Sequence, residues 1–218
     1  MGLIVAAAPA AALSIQEFNA FSDNARFGSL RLALSTEAYR NIRDGNIEAA
    51  NCIARNFVGT TTNEAFGFNY LHENIAKGKE TENVESYILG SIQAVCPSGG
   101  GKQGSAPMAV EGFNPSPVSG FFAKLVNDEE RIDALRLALS TQALREENAD
   151  NKQRAQCIMD KIVGKSELPK GFAELARQLG QARNSGTANV ESYIIGAKLA
   201  YCGEEKSTKD KHESSGKD

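Results

Sequence analysis

The sequence predicts an all-α protein built from two tandem copies of a small, roughly four-helix unit, each stapled by one disulfide. Three observations predict it. Residues 30–36 read LRLALST and residues 135–141 read the same seven letters, while residues 83–88 read NVESYI and residues 189–194 repeat those six. Each copy carries two cysteines at corresponding places, Cys52 and Cys96, then Cys157 and Cys202. Apolar residues recur with helical spacing, and no run combines two-residue alternation with hairpin signals.

The elements follow in chain order. A long helix holds LRLALST and breaks at Asp44-Gly45 in the first copy and near Asp150-Asn151 in the second. A short extra helix around Phe18 and Phe122 could precede it. The helix of the first cysteine follows, with the stripe Ile47, Ala50, Ile53, Ala54, Phe57, matched by Ala155, Ile158, Met159 and Ile162. A third helix holds Phe68, Leu71 and Ile75, matched by Phe172, Leu175, Ala176 and Leu179, and Pro169 opens it in the second copy. The last helix has Val84, Tyr87, Ile88, Ser91, Ile92 and Val95 on one face, and its twin has Val190, Tyr193, Ile194, Ala197 and Tyr201. Thr81 or Asn83 caps it, and Glu82 and Glu85 suit the positive end of the helix dipole. Gly90 and Gly196 interrupt it at matched places, which predicts close approach of a neighbouring helix. The copies are offset by 105 residues at Cys52 and by 106 at Cys96, which predicts one inserted residue in the loop before Phe66 and Phe172 and sets His72 opposite Gln178.

Residues 1–14 read as a secretory signal. Gly-Leu-Ile-Val and an Ala-rich run form its apolar region, with small residues for cleavage at Ala10, Ala12 or Ser14, although no basic residue precedes Arg26. The run is too short to span a bilayer. Residues 15–97 form the first repeat and residues 119–202 the second. Between them residues 98–118 form a Gly/Pro-rich linker, and residues 203–218 form a polar tail expected to be disordered.

The repeat selects the pairing Cys52–Cys96 and Cys157–Cys202 from the three connectivities that four cysteines allow. Each bridge closes a loop of about 45 residues, worth on the order of 4 kcal/mol to a unit too small to be secure on its core alone. Disulfides require an oxidising compartment, in agreement with the signal, so the chain is expected to be secreted or periplasmic.

Chemistry-bearing patterns are sparse. A formal net charge of −3 without a basic stripe argues against nucleic-acid binding. The cysteine and histidine spacings match neither zinc nor haem attachment, so no metal and no cofactor is expected. Gly99-Gly100-Gly101-Lys102 lacks the ending and the preceding strand of a phosphate loop. The only candidate set for a hydrolase is Glu85, Glu191 and His72, where the two glutamates could meet across a pseudo-twofold axis as an acid–base pair. A simpler reading makes both of them dipole-facing carboxylates at helix starts. Tyr87 and Tyr193 read as core residues. Arg31, Arg136, Arg40 and Arg145 are shared between the copies and read as a solvated, ion-paired helix face.

The segment ESYILGSIQAVC and its twin ESYIIGAKLAYC are similar to the Tyr-Ile-x-Gly helix of small periplasmic helical proteins, among them immunity proteins that neutralise cell-wall amidase toxins. Where such a helix would carry a cysteine just before the tyrosine, this chain has Ser86 and Ser192. The resemblance covers about a dozen residues per copy and implies an immunity-type role; as a class, an inhibitor, an immunity-type protein or a chaperone-like envelope protein all fit the chain.

The function expected is therefore a secreted or periplasmic, non-enzymatic protein that binds a protein partner. The two units either raise avidity or pack on each other as a pseudo-dimer. A carrier of a small apolar ligand is the alternative, and the hydrolase comes third.

Overall fold

The computed structural model describes residues 12–58, 65–96, 128–164, 169–182 and 189–203. Nine α-helices are present among them: α1 (Ile15–Asn19), α2 (Asp23–Arg43), α3 (Ile47–Ile53), α4 (Phe66–Lys77), α5 (Val84–Val95), α6 (Asp128–Asn148), α7 (Lys152–Ile158), α8 (Lys170–Ala182) and α9 (Val190–Cys202). The described residues contain no strand, and an isolated bridge joins Ser14 and Asn83. Residues 98–118, 119–127 and 204–218, including the expected linker, the helix around Phe122 and nearly all of the tail, lie outside the described set.

Local chemistry explains the helix boundaries. Ser22 caps α2 by accepting from the Ala25 N–H, and Arg40 and Arg43 occupy its last turn, where cations suit the dipole. The chain then turns through Gly45 at φ 78°, and after α6 it turns through Asp150 at φ 61°. Asn83 and Asn189 cap α5 and α9 in the same way, each accepting a backbone N–H from the serine three residues on. Asn83 is thus the cap rather than Thr81. Glu82 lies just outside the helix, where it accepts from the Tyr87 hydroxyl and from the Lys79 N–H.

The cysteine helices share an irregular feature that hydrophobic spacing does not reveal. Both α3 and α7 widen into a π-helical turn, Ala54–Val58 and Met159–Val163. Such turns are rare, and they displace backbone carbonyls from the usual ladder. Here the following helix fits against them through a glycine. A Cβ on Gly67 would lie 2.6 Å from the Asn56 carbonyl oxygen, and one on Gly171 would collide with the Lys161 carbonyl.

This matched contact sets Gly67 and Phe68 against Gly171 and Phe172, an offset of 104 residues. The second half is therefore one residue shorter before the helix and two longer after it, instead of one longer before Phe172. His72 consequently corresponds to Ala176 and not to Gln178. Gly90 and Gly196 also depart from expectation, because a Cβ at either position would meet nothing within 4 Å. Among the described residues no helix approaches there, and Ile88 and Ile194 on the opposite side carry the packing.

The cysteines pair as expected, Cys52 with Cys96 and Cys157 with Cys202, each with Cα atoms 5.8 Å apart. Each bridge ties the first-cysteine helix to the closing helix over a separation of 44 or 45 residues.

One hydrophobic cluster runs through both parts of the chain. Leu30, Leu32, Leu34, Phe57, Leu71 and Ile88 belong to it, together with Leu137, Leu139, Ile158, Phe172 and Ile194. The LRLALST helices α2 and α6 make the most extensive helix–helix contact in the molecule. Each closing helix also crosses over: α5 packs on α6 more than on α2, and α9 packs on α2 more than on α6.

Two outcomes are expected. Non-reducing peptide mapping should recover only the Cys52–Cys96 and Cys157–Cys202 linked pairs. Gly67→Ala and Gly171→Ala should each destabilise the fold by about 1–3 kcal/mol in denaturant unfolding, because overpacking against a backbone oxygen cannot relax by a rotamer change.

Candidate functional site

The polar groups that the repeat preserves are buried where the two halves meet. Glu85 sits in the first turn of α5, fully buried. Its Oε1 accepts the Ser140 hydroxyl of α6 at 2.5 Å and the Leu13 N–H at 3.0 Å. Glu191 holds the matching place in α9, and its Oε1 accepts the Ser35 hydroxyl of α2 at 2.5 Å. Each glutamate of NVESY is therefore bound by the serine of LRLALST in the other half. Both serines also lie 3.1 Å from the carbonyl three residues back, which competes for the same hydroxyl hydrogen.

Burial pushes the Glu85 carboxyl above the usual carboxylate range, and the bonds from Leu13 and Ser140 only partly oppose this. Its Oε2 has no hydrogen-bond partner among the described residues.

At the centre of the α2–α6 contact stand Glu37 and Gln142, both fully buried. The Gln142 side-chain amide donates to Glu37 Oε1 at 2.5 Å. Arg145 Nε lies 3.0 Å from Glu37 Oε2, and Arg40 Nε lies 3.7 Å from it. Arg40 also binds Asp44 at 2.6 Å. Burial lowers the Arg145 pKa, and the Glu37 charge opposes that shift. The expected ion pairing holds for Arg40 and Arg145, but on the buried Glu37 of the α2–α6 contact instead of on an open face, with their side chains only 15% and 31% exposed. Arg31 and Arg136 also keep Nε buried, without a hydrogen-bond partner among the described residues.

A cavity of about 340 Å³ opens beside the Glu85–Ser140 bond. Leu13, Phe21, Leu137 and Val163 supply apolar wall, and Asp133, Arg136 and Ser140 supply polar wall. Burial raises the Asp133 pKa, against the attraction of Arg136.

The hydrolase set does not assemble. His72 is exposed on α4, whereas Glu85 and Glu191 are sealed in the interior and bound to different serines. Tyr87 and Tyr193 are half-buried and pack against the core cluster, as expected, with the Tyr87 hydroxyl donating to Glu82. Residues 99–102 lie outside the described set. Among the described residues, no group of three or more His, Cys, Asp or Glu side chains is placed to hold a metal ion, and no helix is long and apolar enough to cross a membrane.

Several groups were missed in the sequence. Ser35 and Ser140 were visible as the hydroxyl letters inside LRLALST, but a mid-helix serine usually needs no distant partner. In the second half Glu146 is bonded to Lys198, with Arg154 Nε 3.9 Å away and Arg154 also donating to the Gly203 carbonyl. The first half has Asn41 and Ile92 in place of Glu146 and Lys198, so the repeat gave no hint of this cluster.

The Glu85 pKa has a definite consequence. The unfolded carboxyl ionises near 4.5 and the folded one at higher pH, so this group makes stability fall as pH rises from that point up to the folded pKa. Glu85→Gln keeps an oxygen acceptor for both donors and removes the charge. It should reduce that decline and leave neutral-pH stability equal or higher in thermal unfolding. Glu85→Ala strands the Leu13 N–H and the Ser140 hydroxyl and should cost about 1–3 kcal/mol. Equal losses for both variants, with unchanged pH slopes, would reject this account.

Comparison with known protein families, curated proteins and solved structures finds no match for this chain.

Proposed function

We propose that the chain is an exported, non-enzymatic protein that binds a protein partner through its first half, with the second half completing a pseudo-dimer that holds the first half in shape. The observation carrying this reading is an asymmetry of surface. Phe66 is 72% exposed, Phe27 45% and Tyr70 39%. Phe66 and Tyr70 share one face of α4, and the Phe27 ring packs at a tilt against Phe68 of the same helix, with centroids 4.9 Å apart. The corresponding positions of the second half carry Lys170, Ile132 and Glu174, and Glu174 is held by Arg177 and Gln178. Among the described residues the exposed large apolar side chains all lie on the first half, which suits a single partner-binding face better than two equivalent ones.

Two disulfides and the apolar start of the chain support export. The Leu13 carbonyl accepts from the Val84 N–H, and Ser14 caps α1 in a capping box. Removal of a leader therefore fits best upstream of Ala12, with Ala10 the favoured site among the three. The resemblance of the closing helices favours an inhibitor or immunity-type role over a chaperone-like one.

One observation keeps the carrier reading alive, namely the 340 Å³ cavity beside Ser140. That size is at the low end of small-ligand pockets. Its walls are partly charged, which ranks this reading second.

The test is quantitative capture from the native envelope, with wild-type protein compared with the double variant Phe66→Asp, Tyr70→Asp and with Lys170→Ala as control. A saturable partner should bind wild type and the control alike, and the double variant should lose at least about tenfold in affinity. Equal capture by all three, or no saturable partner, removes the proposal. N-terminal sequencing of exported protein should find a start at residue 11 or 12, not 15.

A further inference from the structure

We infer that the α2–α6 contact is charge-coded, so that each half accepts the other half and rejects a second copy of itself. This rests on the pseudo-dimer reading above and adds a partner specificity to it. Glu37 and Gln142 stand at matched positions, immediately after LRLALST, and they touch each other. A residue that meets its own counterpart lies on the axis relating two paired units. Arg40 and Arg145 are likewise matched, and both approach the single carboxylate of Glu37.

The three conceivable pairings differ in charge at that axis. Two first halves would bring two Glu37 carboxylates, each with its own Arg40 3.7 Å away, into a fully buried contact where a 2.5 Å hydrogen bond with a donor now stands, and two carboxylates in contact could not both stay ionised there. Two second halves would place Gln142 against Gln142 and leave two Arg145 guanidiniums facing one interface without Glu37. The mixed pair alone puts one carboxylate between two arginines, with an amide N–H donated to its other oxygen. The two serine–glutamate bonds do not discriminate, because Ser35–Glu191 and Ser140–Glu85 are the same interaction in both directions. Selection therefore falls on Glu37 and Gln142. Such coding keeps one aromatic face per pair.

The experiment uses the full chain with a protease site placed within residues 98–118, cut after folding. The two fragments differ in mass, so native mass spectrometry of the cut protein after prolonged incubation distinguishes mixed from like pairs. Mixed pairs should exceed like pairs by at least about tenfold, as expected when like-charge juxtaposition opposes the wrong partner. Glu37→Gln makes the axis chemically identical in both halves, and the same incubation should then yield all three pairings. Statistical scrambling in wild type overturns the inference while leaving the pseudo-dimer intact. So does exclusive mixed pairing that persists in Glu37→Gln with circular dichroism unchanged. Fragments that separate and do not associate overturn the pseudo-dimer itself, and this inference with it.

Discussion

The structure depends on the contact between α2 and α6. Both helices carry an apolar run too broad for one neighbour: Leu30, Leu32, Ala33, Leu34 and Ala38 are all essentially inaccessible, and so are Leu135, Leu137, Ala138 and Leu139. A helix buried on most of its circumference needs partners on several sides. In a unit of this size the helices of one half cannot supply them all. The other half does so, through its long helix and its closing helix. Disulfides fasten each closing helix to its own half, and the buried glutamates fasten it to the other. The hydrophobic contact supplies most of the driving force, and the polar bonds fix the register.

The halves are alike in construction and unlike in what they display. The second half replaces exposed aromatics by Lys170 and Glu174, and it buries an ion cluster of Glu146, Lys198 and Arg154. Burial lowers the Lys198 pKa, and only the Glu146 carboxylate opposes that, so the cluster is a costly way to fill space. Its geometric effect is to tie α6, α7 and the end of α9 together, with Arg154 holding the Gly203 carbonyl just beyond Cys202. The first half makes do with Asn41 bonded to its own helix and with Ile92. The two halves thus differ both in surface and in buried polar content.

Much of this was legible in the sequence. Hydrophobic spacing located the helices, and duplicate cysteines located the bridges, because both signals are carried by residue identity along the chain. The Asp44-Gly45 break and the Asn83 cap follow from backbone chemistry that single residues impose. What stayed hidden depends on contacts between distant segments. Arg40 and Arg145 look like solvent-facing charges until Glu37 is placed between them. Gly90 and Gly67 look equally suited to close packing, and only the π-helical turn beside Gly67 decides between them. The register of His72 was misjudged because two loop-length changes of opposite sign partly cancel, so that the offsets at the two cysteines, 105 and 106, suggested a single insertion.

The buried glutamates raise the question of why a carboxyl is kept where an amide would be cheaper. Desolvating a carboxylate costs more than one serine hydroxyl returns, which is why the Glu85 pKa rises. Glutamine would satisfy Ser140 and Leu13 with less penalty, yet it would also bond to many other donors and acceptors. A carboxylate accepts and never donates, so it tolerates only a surface that offers hydrogens. At Glu85 those come from a backbone N–H of the N-terminal segment and a hydroxyl of the other half, and at Glu191 the hydroxyl comes from α2. A misplaced α5 would leave an ionised group facing carbon, a penalty of several kcal/mol. The carboxyls thus trade stability for a single permitted docking of each closing helix. A similar constraint acts at Glu37, whose Oε1 accepts the Gln142 amide of the other half and whose charge is faced by the Arg145 and Arg40 guanidiniums.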